Sequence, residues 1–200
     1  MGSRILVAVH RLDRAQRLAP HRGTVGAAVL AVVAALVLLL TGCGGGSAGL
    51  GGGMLNKRQS TPKISGQTLD GQQLDVNTLR GKVVVLNFYA SWCGPCRAET
   101  PLLEKVYQQE HAAGVDMVGV LYKDTKANGS SFREHAGVTY PSLVDTDGTL
   151  LPKFKGVNAS GIPVTFVLAR DGKVAARWIG PIHDQSALTT VLQTLLAEPA

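Results

Sequence analysis

Apolar and polar positions divide this chain into a leader and a patterned body. Residues 24–40 are almost wholly apolar, broken only near the start by Gly26. Beyond them lies Gly44-Gly45-Gly46-Ser47-Ala48-Gly49-Leu50-Gly51-Gly52-Gly53, with almost no side chain to bury. The body then alternates strand-like and helix-like segments. Lys63 to Val76 predicts a short hairpin, with Asp70-Gly71 as its turn. Val76 to Gly81 reads as a connecting turn. Lys82 to Tyr89 is a continuous apolar run of the kind buried on both faces of a sheet. A helix follows to about Ala113, with Pro95 in its first turn, Pro101 as a kink and Gly114 as its C-cap.

Val115 to Tyr122 predicts a second buried strand, and Asn128 to Ala136 a helix stopped by Gly137. Tyr140 to Val144 reads as extended, Asp147-Gly148 as a turn, and Leu150 to Phe154 as a short helix. Val164–Ala169 and Val174–Ile179 are strands joined by Arg170-Asp171-Gly172-Lys173, a strong hairpin signal. Asp184 caps a last helix to Ala197, where Leu188, Val191, Leu192, Leu195 and Leu196 recur at helical spacing as a core stripe. The order implies a mixed sheet with helices on both faces. The first strand–helix–strand unit is a parallel crossover, and the last two strands pair antiparallel.

Charge sharpens the division. The formal net charge is +6 over 200 residues. Residues 1–42 hold five arginines (Arg4, Arg11, Arg14, Arg17, Arg22) against Asp13 alone. The body is close to neutral, which argues against a nucleic-acid partner, since that needs basic residues clustered on the folded face. Basic residues followed by an apolar run slightly short for a bilayer span suit a signal segment. Leu40-Thr41-Gly42-Cys43 follows and resembles the lipobox of bacterial lipoproteins. The resemblance implies cleavage before Cys43 and attachment of membrane lipid to its sulfur. An uncleaved signal anchor is the alternative, and both place the body outside the membrane. The expected organisation is a signal peptide over 1–42, a lipidated glycine-rich tether over 43–61 and a folded domain over 62–200.

The chemistry is concentrated in Trp92-Cys93-Gly94-Pro95-Cys96. Two cysteines two residues apart open or close a small disulfide with little backbone movement. A strand feeding such a pair at a helix start is the thioredoxin redox arrangement. Half of a zinc site is the alternative, but zinc requires two further Cys or His ligands. Cys43 is the only other cysteine.

The segment Val85-Leu86-Asn87-Phe88-Tyr89-Ala90-Ser91-Trp92-Cys93-Gly94-Pro95-Cys96-Arg97-Ala98-Glu99-Thr100-Pro101 resembles the active-site segment of the ResA/TlpA-like membrane-anchored thioredoxins. Gly161-Ile162-Pro163-Val164-Thr165-Phe166 resembles their cis-proline loop, and Trp178-Ile179-Gly180 their closing hairpin. The likeness spans roughly residues 62–197, nearest in impression to actinobacterial lipoproteins. It implies a thioredoxin-like α/β fold, a central mixed sheet flanked by helices, with an N-terminal hairpin and a central insertion.

Roles follow from the motif. Cys93, ahead of the helix, is the expected attacking thiol, its thiolate favoured by the helix N-terminus. Cys96 is the resolving thiol, and Gly94-Pro95 sets the turn between them. Trp92 is a cover for the disulfide or part of the docking surface. Asn87 stands where plain thioredoxins carry a buried aspartate and cannot ionise; the resemblance implies Glu99 as the candidate proton acceptor, and at three residues past Cys96 it shares that residue's helix face. A solvated glutamate is its alternative. Ile162 and Pro163 would offer backbone to a substrate strand if their bond is cis; a trans-proline at a strand start is the alternative. His111, His135 and His183 read as surface or structural residues, and Arg97 as solvated.

The resemblance implies an extracytoplasmic, membrane-anchored thiol–disulfide oxidoreductase that reduces disulfides of exported proteins, apocytochrome c among them. Electrons would come from a CcdA/DsbD-type membrane donor, with no cofactor beyond the Cys93–Cys96 pair and no metal. Two rivals remain: an oxidase of secreted proteins using the same cysteines in reverse, and a copper-binding chaperone on a thioredoxin fold. The chaperone usually carries a C-x-x-x-C, one residue longer than here. A peroxiredoxin is disfavoured by the missing P-x-x-x-T-x-x-C pattern.

Overall fold

The computed structural model describes residues 52–156 and 161–199. The expected signal peptide, Cys43 and the glycine run up to Gly51 lie outside the described residues.

Residues at the end of the glycine run and immediately after it already belong to the fold. Strand β1 (Gly53–Gln59) lies antiparallel on β8 (Val174–Ile179), pairing Gly53 with Arg177 and Met54 with Ala176. The expectation of a tether through residue 61 is therefore corrected: the folded unit begins about nine residues earlier. An edge strand satisfies its backbone along one side and leaves most side chains in water, so it needs no apolar alternation. Arg58 reaches across to Glu198 and pins the strand beside the C-terminal segment. Gly52 has φ +120°, and a Cβ there would fall 2.4 Å from Trp178 Cγ and 2.5 Å from the Arg177 carbonyl, so only glycine fits.

β2 (Ser65–Gln67) and β3 (Gln73–Asp75) form the expected hairpin. A 3-10 turn over Val76–Leu79 leads to β4 (Val83–Tyr89), every residue of which is buried. Helix α1 (Gly94–Glu110) runs through Pro101 and gives way to a 3-10 turn at His111–Ala113. Proline removes an N–H from the ladder; the hydroxyl of the preceding residue, Thr100, donates to the Cys96 carbonyl at 2.7 Å. Gly114 closes the segment at φ 100°.

β5 (Val115–Tyr122) pairs parallel with β4 from Val83↔Val115 to Tyr89↔Leu121. Helix α2 (Lys126–His135) starts two residues before the expected Asn128, because the Thr125 side chain caps it. β6 (Ser142–Asp145) is the other edge. The expected helix at Leu150–Phe154 is one 3-10 turn, Leu151–Lys153. β7 (Val164–Leu168) and β8 form the hairpin, and α3 (Gln185–Leu196) is capped by Asp184.

The strand order β1-β8-β7-β4-β5-β6 places β4 at the centre, parallel to β5 and antiparallel to β7. On one face Leu103 and Val106 of α1 and Leu188, Val191, Leu192 and Leu195 of α3 pack on Val83, Val85, Val115 and Met117. The other face is closed by Ile64, Val76, Leu151 and an aromatic cluster in which Phe154 stacks on Phe166 at 4.0 Å with Phe88 edge-on. Burying such side chains stabilises the fold by roughly 1.5–3 kcal/mol each before entropy is subtracted. A third, smaller cluster of Leu69, Tyr89, Ala90, Leu121 and the two cysteines sits at the ends of β4 and β5. The site stands on that cluster. No helix among the described residues is long and apolar enough to cross a membrane.

Candidate active site

β4 ends at Tyr89, and the chain turns through Ala90-Ser91-Trp92-Cys93 into α1, with the Cys93 N–H donating to the Ala90 carbonyl at 3.2 Å. Cys93 is the N-cap of α1, and its Sγ accepts the Cys96 N–H at 3.2 Å. Cys93 and Cys96 are joined as a disulfide with Cα atoms 5.3 Å apart. Cys93 is 5% exposed and Cys96 fully buried, so solvent and partners reach the pair through Cys93. After reduction the same Cys96 N–H faces the Cys93 thiolate. A charged acceptor at a helix N-terminus is favoured by that hydrogen bond and by the helix dipole.

The Ile162–Pro163 peptide is cis, as expected. Its loop lies beside the pair: the Ile162 carbonyl oxygen is 3.7 Å from Cys93 Sγ, and the Pro163 carbonyl accepts the Gly180 N–H at 2.9 Å. The structure thus brings Cys93, Cys96, Ile162 and Pro163 together. Gly94 and Pro95 are exposed in the first helical turn. Trp92 is 60% exposed, one of three exposed large apolar residues in the described chain, and Ile179 is another. Trp92 therefore lies open at the surface beside the cysteines rather than sealed over them.

Glu99 is not a solvated glutamate. It is 2% exposed; its Oε1 accepts from Asn87 Nδ2 at 2.8 Å and its Oε2 from the Ile182 N–H at 2.8 Å. Burial pushes the carboxyl up to about 7, with the bonds from Ile182 and Asn87 opposing. A carboxyl half-protonated near neutrality gives and takes a proton at little cost, as general acid–base chemistry requires. Asn87 Nδ2 also donates to Thr165 Oγ1 at 2.9 Å, so this β4 residue links Glu99 of α1 to β7 two residues past Pro163.

Sequence reasoning missed Asp124, Ser91, Thr165 and Ile182. Asp124 Oδ2 accepts from the Ser91 N–H at 2.8 Å and the Ser91 hydroxyl at 2.6 Å. Burial opposes its charge, yet hydrogen bonds from Ser91, Asn128 and Thr125 hold its carboxyl below the usual range. An aspartate two residues past a buried strand was the only signal, and it pointed to no partner. His111, His135, His183 and Arg97 all lie at the surface. Among the described residues no group of three or more His, Cys, Asp or Glu side chains is placed to hold a metal ion.

The AhpC/TSA family model matches residues 58–177. The chain is 30% identical over 120 residues to the thiol-disulfide oxidoreductase ResA of Bacillus subtilis, covering 60% of this chain and 65% of that one. The match thus spans slightly less than two thirds of that relative's length. The thiol:disulfide interchange protein HelX of Rhodobacter capsulatus is 34% identical over 126 residues, covering 63% of this chain and 68% of that one. Among solved structures, a secreted thiol-disulfide isomerase from Corynebacterium glutamicum superposes with a TM-score of 0.70 at 27% identity, covering 76% of this chain and 95% of that one. With its thioredoxin-like fold and its Cys93–Cys96 disulfide, the chain belongs to the AhpC/TSA family and, within it, to the ResA-like thioredoxins.

Proposed function

We propose that this protein is an extracytoplasmic thiol–disulfide oxidoreductase that reduces disulfides of exported proteins, held at the membrane by lipid on Cys43. Apocytochrome c, whose C-x-x-C-H thiols must be reduced before haem attachment, is the proposed principal target. The observation that carries the reading is the placement of Cys93 Sγ, at the N-terminus of α1 and 3.7 Å from the Ile162 carbonyl of the cis-proline loop.

Cys93 thiolate attacks one sulfur of the target disulfide, forming a mixed disulfide and expelling the target's other sulfur as a thiolate. Cys96, deprotonated with help from Glu99, then attacks Cys93 Sγ. The second target thiol leaves and the Cys93–Cys96 disulfide forms. Two electrons pass to the target, and its two sulfurs take up two protons. A CcdA/DsbD-type membrane dithiol reverses these steps and recharges the pair. The relatives named oxidoreductase and interchange protein support the chemistry, and the secreted neighbour supports the compartment. The basic leader and Leu40–Cys43 support the anchor.

Equilibration of the pair with glutathione tests the direction. A potential well below the ~−180 mV of protein disulfide isomerase is expected of a reductase, and one well above it would make the protein an oxidase. Deleting the gene is expected to lower covalently bound haem c, and added small thiol to restore part of it. Normal haem c with slowed disulfide formation in secreted proteins would overturn the reading.

A further inference from the structure

The turn Ala90–Cys93 that delivers the reactive sulfur is fastened from outside itself. Its two central residues are Ser91 and Trp92. Asp124 Oδ2 takes both the backbone N–H and the hydroxyl of Ser91, at 2.8 and 2.6 Å. The next bond in the series comes from the adjacent residue: the Lys123 carbonyl accepts the Trp92 indole N–H at 3.2 Å. Two consecutive residues after β5 thus hold two consecutive residues of the redox turn. Lys123 sits at φ 50°, the only non-glycine residue in the described chain with positive φ. That region is costly for a side chain with a Cβ. Here it accompanies a turn in which the Lys123 carbonyl and the Asp124 carboxylate both meet the redox turn.

The other oxygen of Asp124 is engaged as well. Oδ1 accepts the Thr125 N–H at 2.7 Å and Asn128 Nδ2 at 3.2 Å, both at the N-terminus of α2. The carboxylate is 6% exposed and bridges a packed helix to the redox turn. A neutral amide offers one oxygen and cannot accept on both sides.

We infer that Asp124 is a positioning residue for the redox reaction: through Ser91, and alongside the Lys123–Trp92 bond, it holds the turn that keeps Cys93 at the N-terminus of α1. Without it, Ser91 is released, the turn loosens and Cys93 Sγ spends less time against the Cys96 N–H. Its thiolate then loses the stabilisation that the helix start supplies. The inference rests on Cys93 being the attacking thiol of the proposed function.

The test is the pH profile of Cys93 alkylation by iodoacetamide in the reduced full-length chain, read at each cysteine by mass spectrometry. Asp124→Asn is expected to raise the midpoint by about one pH unit, an approximately tenfold slower reaction well below it. A charge acting only at a distance predicts the reverse, because removing a negative charge favours a nearby thiolate. A lowered or unchanged midpoint in Asp124→Asn therefore overturns the inference. Ser91→Ala, which keeps the backbone bond but loses the hydroxyl, is expected to shift the midpoint in the same direction by less. Ser91→Thr is expected to restore the native profile. If Asp124→Asn does not fold, the serine pair decides: equal midpoints in Ser91→Ala and Ser91→Thr overturn the inference. None of the three substitutions falls on Glu99 or on its partners Asn87 and Ile182. Alkylation at Cys96 in preference to Cys93 in the native protein would instead count against the proposed function.

Discussion

Asn87 Nδ2 donates to Glu99 Oε1 at 2.8 Å, deep inside the protein and twelve positions away along the chain. The amide supplies a hydrogen bond to the carboxyl without competing for its proton, as an aspartate at position 87 would. It leaves one buried titratable group at this point of the site, with a carboxyl brought to about 7.

The raised carboxyl makes stability depend on pH. Its folded value of about 7 lies above the ordinary 4.5, so the folded state holds the proton more tightly than the unfolded chain. That contribution is complete below 4.5 and is lost as pH rises to about 7. The loss is on the order of 3 kcal/mol. Glu99→Gln has no carboxyl proton to lose. Urea unfolding at pH 4.5 and 7.5 is expected to show a smaller fall in stability for the variant, by about 3 kcal/mol. The variant is also expected to shift the pH profile of disulfide exchange; identical profiles and slopes would mean that Glu99 does not titrate in this range.

Accessibility separates the two cysteines. Cys93 is 5% exposed and Cys96 wholly buried. Cys96→Ser is expected to accumulate mixed disulfides through Cys93, visible on non-reducing gels, because the resolving thiol is gone. Cys93→Ser is expected to trap none. Equal trapping by both variants would reverse or abolish the assignment of roles.

Close packing beneath the site gives a stability prediction. A Cβ on Gly119 would lie 2.5 Å from Ser142 Oγ and 2.8 Å from Tyr89 Cε1, inside the pair linked by the Tyr89–Ser142 hydrogen bond. Gly119→Ala is expected to cost about 1–3 kcal/mol. Gly66→Ala meets only Leu143 Cδ2 at 3.9 Å and is expected to stay within about 0.5 kcal/mol of the native protein. Denaturant midpoints of the two variants compare them directly.

Anchoring is tested at Cys43. Cys43→Ala is expected to abolish labelling by acyl-chain precursors and block normal processing, while the isolated domain keeps its thiol activity. Labelling that persists in the variant would exclude lipid attachment at this cysteine.

Local pattern made much of the chain readable without coordinates. β4 announces itself because a strand buried on both faces must be continuously apolar, and Val83–Tyr89 is fully buried. The Arg170–Lys173 turn and the leucine stripe of α3 are legible because turn chemistry and helical period are short-range. The cysteine pair and its proline partner were recognisable as motifs.

Tertiary structure decided what depends on groups distant in sequence. β1 was invisible because an edge strand draws its stability from backbone pairing, which no side-chain period records. Glu99 was the candidate carboxylate with a solvated helix face as its alternative, and only the closing of Asn87 and Ile182 around it decided between them. Asp124 lies 33 residues from Ser91, and only the parallel pairing of Tyr89 with Leu121 aligns the ends of β4 and β5 so that one carboxylate meets the redox turn. Sequence by itself determined which local segments form and where the reactive sulfurs lie. Packing determined the environment of those sulfurs, because burial and long-range hydrogen bonds exist only once strands and helices have met.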